Sequence, residues 1–171
     1  MKVLGILTLA CALVPLASRL GSPAEGAFVV RSLVPPGAGL AALRRAVTGA
    51  HRRLERPDCQ RLFTEFADAS GRPLQEKLDA LGQTGASYLG LLLFADASGR
   101  PHCKAGASYA FTMPGSRVIY VCGSHFKEAA DQSAAKAEAV VIHEALHSLG
   151  LGENPPSSHE ITARVLARCH S

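Results

Sequence analysis

The segment AAKAEAVVIHEALHSL, residues 134–149, decides the fold because it predicts a long helix with one buried face. Alanine and leucine, which dominate it, are strong helix formers. An apolar stripe follows helical spacing through Ala139, Ile142, Leu146 and Leu149. His143, Glu144 and His147 lie beside this stripe. We therefore expect a core helix that presents three ionisable side chains to a neighbouring element.

The two histidines of this helix are four residues apart, so both imidazoles project from one face and can bind one metal ion. Neutral imidazole suits zinc, and Glu144 could take a proton from a water that the zinc activates. The alternative is a pair of histidines satisfied in the core, but burying three ionisable residues in such a helix is costly without a metal. We therefore predict one zinc ion per chain, bound by His143 and His147, with Glu144 as general base.

Two acids could supply a third ligand. Glycines end the helix, which places Glu153 in the turn that follows. A second helix is predicted from Ser158 to about Arg168, antiparallel to the first, with Glu160 in its first turn. Glu160 is preferred because a helix holds a ligand more rigidly than a loop does. However, Ser157 and Glu160 also form the S-x-x-E pattern of a capping box, so Glu153 stays the alternative ligand and His159 a third option.

From Arg117 onward the chain resembles zinc peptidases of the HExxH superfamily, the zincins, most specifically around the motif. The run HEALHSLGLGE, residues 143–153, is similar to the metzincin pattern HExxHxxGxxH/D, with Glu153 at the third-ligand position. The run VIYVCGSHF, residues 118–126, is similar to the segment that precedes HExxH in aspzincins. No methionine follows the motif as in metzincins, and the aspzincin GTxD element is missing, so no subfamily is assigned. The resemblance implies hydrolysis of peptide bonds in a protein or peptide substrate.

Such a reaction needs a donor that stabilises the tetrahedral oxyanion. The candidates are His159 and Tyr120, followed by Tyr109 and His125, whereas His51, His102 and His170 are interpreted as surface residues. An edge strand beside the helix, either Ser108–Thr112 or Arg117–Val121, could bind an extended peptide by strand addition. Two alternatives stay open: a zinc-binding domain without catalysis that acts by binding a partner, and a metal-free structural domain.

Residues 1–18 have the pattern of a secretory signal peptide: Lys2, an apolar run over Val3–Leu16, and then small residues. The run is too short to span a membrane comfortably. A lipid anchor at Cys11 is disfavoured because Thr8 is a poor lipobox residue. We therefore expect a secreted or periplasmic protein with no stable membrane insertion.

Loss of that segment would leave four cysteines, Cys59, Cys103, Cys122 and Cys169. An even number in an exported chain predicts two disulfides. Cys103 with Cys122 could close a hairpin, and Cys59 with Cys169 could tie the first helices to the last, but the sequence does not decide among the three pairings. A structural zinc site is disfavoured because no Cys-x-x-Cys pair is present.

The sequence predicts an α+β fold in a small, zincin-like single domain. Residues 19–36 are interpreted as a linker and residues 37–171 as the domain. Helices come first, including Leu40–Leu54; a short, mostly antiparallel sheet follows, with strands over Tyr88–Phe94 and Arg117–Val121. Nucleic-acid binding is disfavoured, since a net charge of +4 and 5% aromatic residues offer neither a large basic patch nor stacking platforms.

Overall fold

Four short strands form one mixed sheet in the computed structural model, which describes residues 28–106 and 108–170. The strands are β1 (Arg31–Ser32), β2 (Leu93–Asp96), β3 (Ala110–Phe111) and β4 (Val118–Val121). Their order is β1-β2-β4-β3; β2 pairs in parallel with both β1 and β4, and only β3 is antiparallel, to β4. The expected mostly antiparallel sheet is therefore wrong. Helices intervene between β1 and β2 and between β2 and β4, and such crossovers return the chain in the same direction.

Helices make up most of the remaining described structure, which confirms the α+β class. They are α1 (Ala38–Leu54), α2 (Pro57–Gln60), α3 (Leu62–Glu65), α4 (Leu74–Ala80), α5 (Gly85–Tyr88), α6 (Pro101–Lys104), α7 (Gly123–Gln132), α8 (Ala134–Ser148) and α9 (Ser158–Arg168), with a 3-10 turn at Leu89–Leu91. No described helix is long and apolar enough to cross a membrane. The predicted signal peptide with Cys11, and linker residues 19–27, lie outside the described residues.

Helix α8 lies at the centre of the core and packs against α1, α7, α9, β3 and β4. The Ser133 side chain caps its start by accepting a hydrogen bond from the backbone N–H of Lys136. Its stripe residues Ile142 and Leu146 are fully buried. The predicted amphipathic helix is therefore confirmed, and its burial fixes which way the histidines face.

A buried ion pair between Arg53 of α1 and Glu138 of α8 joins the two main helices. Glycine at position 49 makes room for it, since a Cβ there would overlap the carboxylate of Glu138. Arg53 also donates a hydrogen bond to the carbonyl of Cys169, just beyond α9. These contacts tie α1, α8 and the end of α9 into one frame.

Both predicted disulfides are formed, and the structure selects the pairing. Cys59 of α2 bonds to Cys169 at the end of α9, and Cys103 of α6 bonds to Cys122, which precedes α7. All four cysteines are buried. The first bridge fixes the C-terminal helix on the N-terminal helices, and the second closes the segment that contains β3 and β4.

Candidate metal centre

Helix α8 brings its two histidines together at their Nε2 atoms. The Nε2 of His143 and the Nε2 of His147 are 3.0 Å apart. Both residues are buried, with 6% and 5% of their surface exposed. The rings therefore converge on one point, as their four-residue spacing predicted.

The other nitrogen of each ring is fixed by a neighbouring group. The Nδ1 of His147 lies 2.8 Å from the carbonyl oxygen of Leu151. Because a carbonyl only accepts, a neutral His147 carries its proton on Nδ1 and leaves a lone pair on Nε2. The Nδ1 of His143 lies 2.9 Å from the Thr162 hydroxyl of α9, which can accept the same kind of bond. Both contacts orient Nε2 for metal binding.

The turn after α8 brings in a carboxylate. The N–H of Gly150 donates to the carbonyl of His147 at 2.8 Å, and Gly150 has a φ of +114°, which favours glycine. The chain then reverses, so that the Oε1 of Glu153 lies 3.4 Å from the Nε2 of His147 and 3.8 Å from that of His143. Among the described residues, these three form the one His, Cys, Asp or Glu cluster that could hold a metal ion.

Glu160, the preferred third ligand in the sequence, caps its own helix instead. Its carboxylate accepts hydrogen bonds from the backbone N–H and the hydroxyl of Ser157, at 2.8 and 2.7 Å. The Ser157 hydroxyl accepts one from the backbone N–H of Glu160 in return, which completes a capping box. These bonds lower the pKa of the Glu160 carboxyl. The structure thus places the alternative acid, Glu153, with the two histidines, and leaves Glu160 outside the cluster.

The three donor atoms have the spacing that a small tetrahedral ion requires. Zinc bound at about 2.0–2.1 Å holds neighbouring donors roughly 3.3–3.4 Å apart. The three separations here are 3.0, 3.4 and 3.8 Å, which lie on both sides of that value. Two imidazoles and one carboxylate also match the donor set of catalytic zinc sites, which keep a fourth position open. The residues therefore fit a zinc ion.

Burial keeps the first histidine neutral. Loss of solvent lowers the pKa of His143 to about 4, and the neighbouring His147 acts in the same direction, although the Glu153 carboxylate opposes both. At neutral pH His143 is therefore not an ion-pair partner for Glu153. A neutral ring has the free lone pair that a metal needs.

Glu144 lies between the two histidines in sequence and is 6% exposed. Burial raises the pKa of its carboxyl to about 8; the Thr112 side chain opposes the shift and the Glu153 charge adds to it. Its Oε2 is buried without a hydrogen-bond partner among the described residues. With this pKa the carboxyl is mostly protonated at neutral pH in the metal-free site; once ionised, it is a stronger base than an ordinary glutamate and is suited to accept a proton from a water or substrate at this point.

Two cavities meet at His143 and Glu144. One, of about 500 Å³, contains the His143, His147 and Glu153 cluster and is walled by β3, Thr112 and His102. The other, of about 570 Å³, runs between α8 and α9. The site is therefore open to a ligand that extends in both directions from Glu144.

Most oxyanion candidates from the sequence lie elsewhere. In the described part of the chain, His159, Tyr120 and His125 line neither cavity. The guanidinium of Arg100 covers the Tyr120 ring at 4.5 Å, and the Nδ1 of His125 lies 3.3 Å from a backbone oxygen of residue 108. Only Tyr109 borders a cavity, on the α9 side.

Sequence reasoning missed two residues that the fold brings to the site. His102 is exposed, which confirms its interpretation as a surface residue, but it also lines the cavity of the metal cluster, and its Nε2 lies 2.8 Å from the Ser108 hydroxyl. The position of His102 next to Cys103 in the sequence could have indicated this, because the Cys103–Cys122 disulfide anchors α6 near the end of β4. Thr162, four residues after Ser158 on α9, gave no signal before the packing of α8 on α9 was known.

Comparisons with known protein families, curated proteins and solved structures find no match for this chain. The interpretation of the site therefore rests on its own residues and geometry.

Proposed function

We propose that this protein is a zinc-dependent peptidase that hydrolyses peptide bonds. One observation carries the proposal: a buried, unpartnered glutamate adjoins two imidazoles and a carboxylate whose donor atoms converge, at the junction of two cavities. Structural metal sites use all their protein ligands and need no unsatisfied base beside them. A hydrolytic site needs both the open position and the base.

His143, His147 and Glu153 would hold the ion. When bound, zinc would polarise a water and the substrate carbonyl. Glu144 then accepts the proton of the attacking water at its carboxylate and passes it to the leaving amine. Thr162 and the Leu151 carbonyl keep both imidazoles oriented throughout. Among the described residues that line this cavity, His102 is the one further titratable side chain that could donate to the developing oxyanion, in place of the candidates named from the sequence.

Strand addition at β3 is the proposed mode of substrate binding. The sheet order puts β3 at an edge, whereas β4, the other option in the sequence, lies between β2 and β3. Residues Ala110 and Phe111 of β3 border the cavity of the metal cluster. An extended peptide paired with this edge would pass directly over Glu144, with main-chain hydrogen bonds holding it in register.

Export from the cytoplasm is part of the proposal. Two disulfides are typical of oxidising compartments, and residues 1–18 have the pattern of a signal peptide. A secreted or periplasmic peptidase would meet both conditions.

The first test is metal content and cleavage in the same preparations. Wild type, Glu144→Gln and His147→Ala are purified without chelators, and zinc is measured by elemental analysis beside cleavage of casein and a peptide library. We expect one zinc in wild type and Glu144→Gln, none in His147→Ala, and cleavage by wild type alone. Zinc without cleavage by wild type would favour a catalytically silent, partner-binding domain, and absence of zinc after it is offered would refute the metal site.

A second test separates the two candidate acids. Glu153→Gln should bind zinc at least 10-fold more weakly in chelator competition, because it removes a ligand. Glu160→Gln is the matched control: it should leave zinc affinity unchanged, and it should keep the helix start, since glutamine also completes a capping box. The reverse result would return Glu160 to the site.

A further inference from the structure

The second cavity lies between α8 and α9 and is lined by one face of each helix. Ala135, Ala139 and His143 follow one another at four-residue spacing on α8. Ser158, Thr162 and Leu166 do the same on α9. Eight residues of helix rise about 12 Å, so the cavity is long enough for an extended side chain.

Its polarity changes along its length. Near the metal cluster it is lined by His143 and Thr162, which bond to each other. At the far end Ala135, Ala139 and Leu166 form apolar walls, with the polar Ser133 and Lys136 beside them at the start of α8, and Leu166 keeps 49% of its surface exposed. The small side chains of Ala135 and Ala139 on α8 leave the space, and the large, half-exposed side chain of Leu166 on α9 borders it. This arrangement favours an apolar group that enters from the metal end.

The charges around the cavity act against basic groups. The Nζ of Lys136 lies 4.6 Å from the centre of the Tyr109 ring, and both residues line the cavity. Glu144 is the one carboxylate among the described residues that line it. A lysine or arginine side chain would therefore face an ammonium group without gaining a free acid as partner.

We infer that this cavity binds a long apolar side chain, such as leucine or phenylalanine, of a peptide whose scissile bond lies at Glu144, and that Leu166 and Lys136 determine this specificity. The inference rests on the proposed peptidase function for its substrate, but the cavity itself can be tested by binding. A side chain that lacks several of the methylenes that would fill an apolar pocket binds about 10- to 100-fold more weakly.

The test uses peptides of Gly, Ser and Asn with one variable residue: Leu, Phe, Ala or Lys. Affinity is measured with zinc-loaded Glu144→Gln, and kcat/KM with zinc-loaded wild type, with the cut located by mass spectrometry. Leu and Phe peptides should bind and be cleaved about 10- to 100-fold better than Ala, with Lys below Ala. Equal affinities within about threefold would overturn the inference.

Variants on α9 test whether Leu166 determines the specificity of the cavity. Leu166→Glu should weaken binding of the Leu peptide and improve that of the Lys peptide by about 10-fold, since it puts a carboxylate in the cavity wall. Ala163→Glu is the matched control, because this exposed residue of α9 carries the same charge outside the cavity. Identical behaviour of the two variants would remove Leu166 from the assignment and overturn it.

The outcomes separate the two proposals. A binding preference for Leu without any cleavage by wild type would refute the peptidase function and leave the cavity assignment intact. Cleavage without preference would refute the cavity assignment and leave the function intact. Absence of both would refute both.

Discussion

Replacing Glu144 with glutamine should stabilise the metal-free protein, and increasingly so as the pH rises. The carboxyl is 6% exposed, and its pKa in the folded state is raised from 4.5 to about 8. A raised pKa means that the folded state binds a proton which the unfolded state releases. The carboxyl therefore costs little stability below pH 4.5. Its destabilising effect grows as the pH rises from 4.5 to 8 and stays constant above pH 8.

The size of this loss of stability follows from the difference between the two pKa values of Glu144, 4.5 and about 8. Each pKa unit corresponds to about 1.4 kcal/mol, so the ionisation of Glu144 should remove about 3 to 4 kcal/mol of stability between pH 5 and pH 8. The amide has a similar shape and no charge to desolvate. His143, whose lowered pKa raises stability with pH, is present in both proteins and cancels in the difference.

The assay is urea unfolding of wild type and Glu144→Gln in EDTA at pH 5 and pH 8. The free energy of unfolding of the variant should exceed that of wild type by under about 1 kcal/mol at pH 5 and by about 4 kcal/mol at pH 8. Glu76→Gln, at an exposed position of α4, is the matched control and should show no such change. A Glu144→Gln difference that is the same at both pH values would refute the assignment of a buried carboxyl at this site.

Further predictions concern the support of the site. Thr162→Val removes the hydroxyl beside the Nδ1 of the first histidine and should weaken zinc binding about 10- to 100-fold in chelator competition. Serine replacement of Cys59 and Cys169, whose separation is 110 residues, should lower the free energy of unfolding by about 4.8 kcal/mol. The same change at Cys103 and Cys122, with a separation of 19 residues, should cost about 3.2 kcal/mol but also raise KM, because the closed segment walls both cavities. The opposite order in urea unfolding would contradict the loop-length argument.

The long helices were predictable because their signals are local. Helix α8 was expected over residues 134–149 and ends at Ser148, and α9 has the predicted bounds, Ser158–Arg168. Apolar periodicity and capping residues define both within their own segments. The histidine pair belongs to this class, since two histidines four apart meet whenever the helix forms.

The expected strand over Tyr88–Phe94 is mostly wrong, and its error has a physical cause. A short leucine-rich run fits a buried helix as well as a strand. Thr84 and Ser87 form a capping box that starts α5, the chain continues as a 3-10 turn, and β2 begins only at Leu93. Strand direction was equally hidden, because it depends on how helices cross the sheet and leaves no pattern in the strands themselves.

The choice between Glu160 and Glu153 as the candidate third ligand depended on two possible roles of a glutamate, which are to cap a helix and to bind a metal. Ser157 and Glu160 satisfy each other locally, so the carboxylate that the sequence favoured is already bound to its own helix start. Within the described part of the chain Glu153 makes no such capping contact, and the turn brings it to the histidines. A pattern that satisfies a side chain nearby therefore outweighs the general preference for helix-borne ligands.

The turn after α8, more than the motif, determines whether the histidine pair can bind a metal. Gly150 has a φ of +114°, and a Cβ there would lie 3.3 Å from the Cβ of Asp68, so this turn requires glycine. The next residue, Leu151, supplies the carbonyl that fixes the proton of His147 on Nδ1, and Glu153 follows two residues later. With this turn the two Nε2 atoms lie 3.0 Å apart, so in the metal-free protein one ring can donate a hydrogen bond to the other, and a metal ion would take the place of that proton. Gly150 thus supports the candidate metal centre although it offers no ligand.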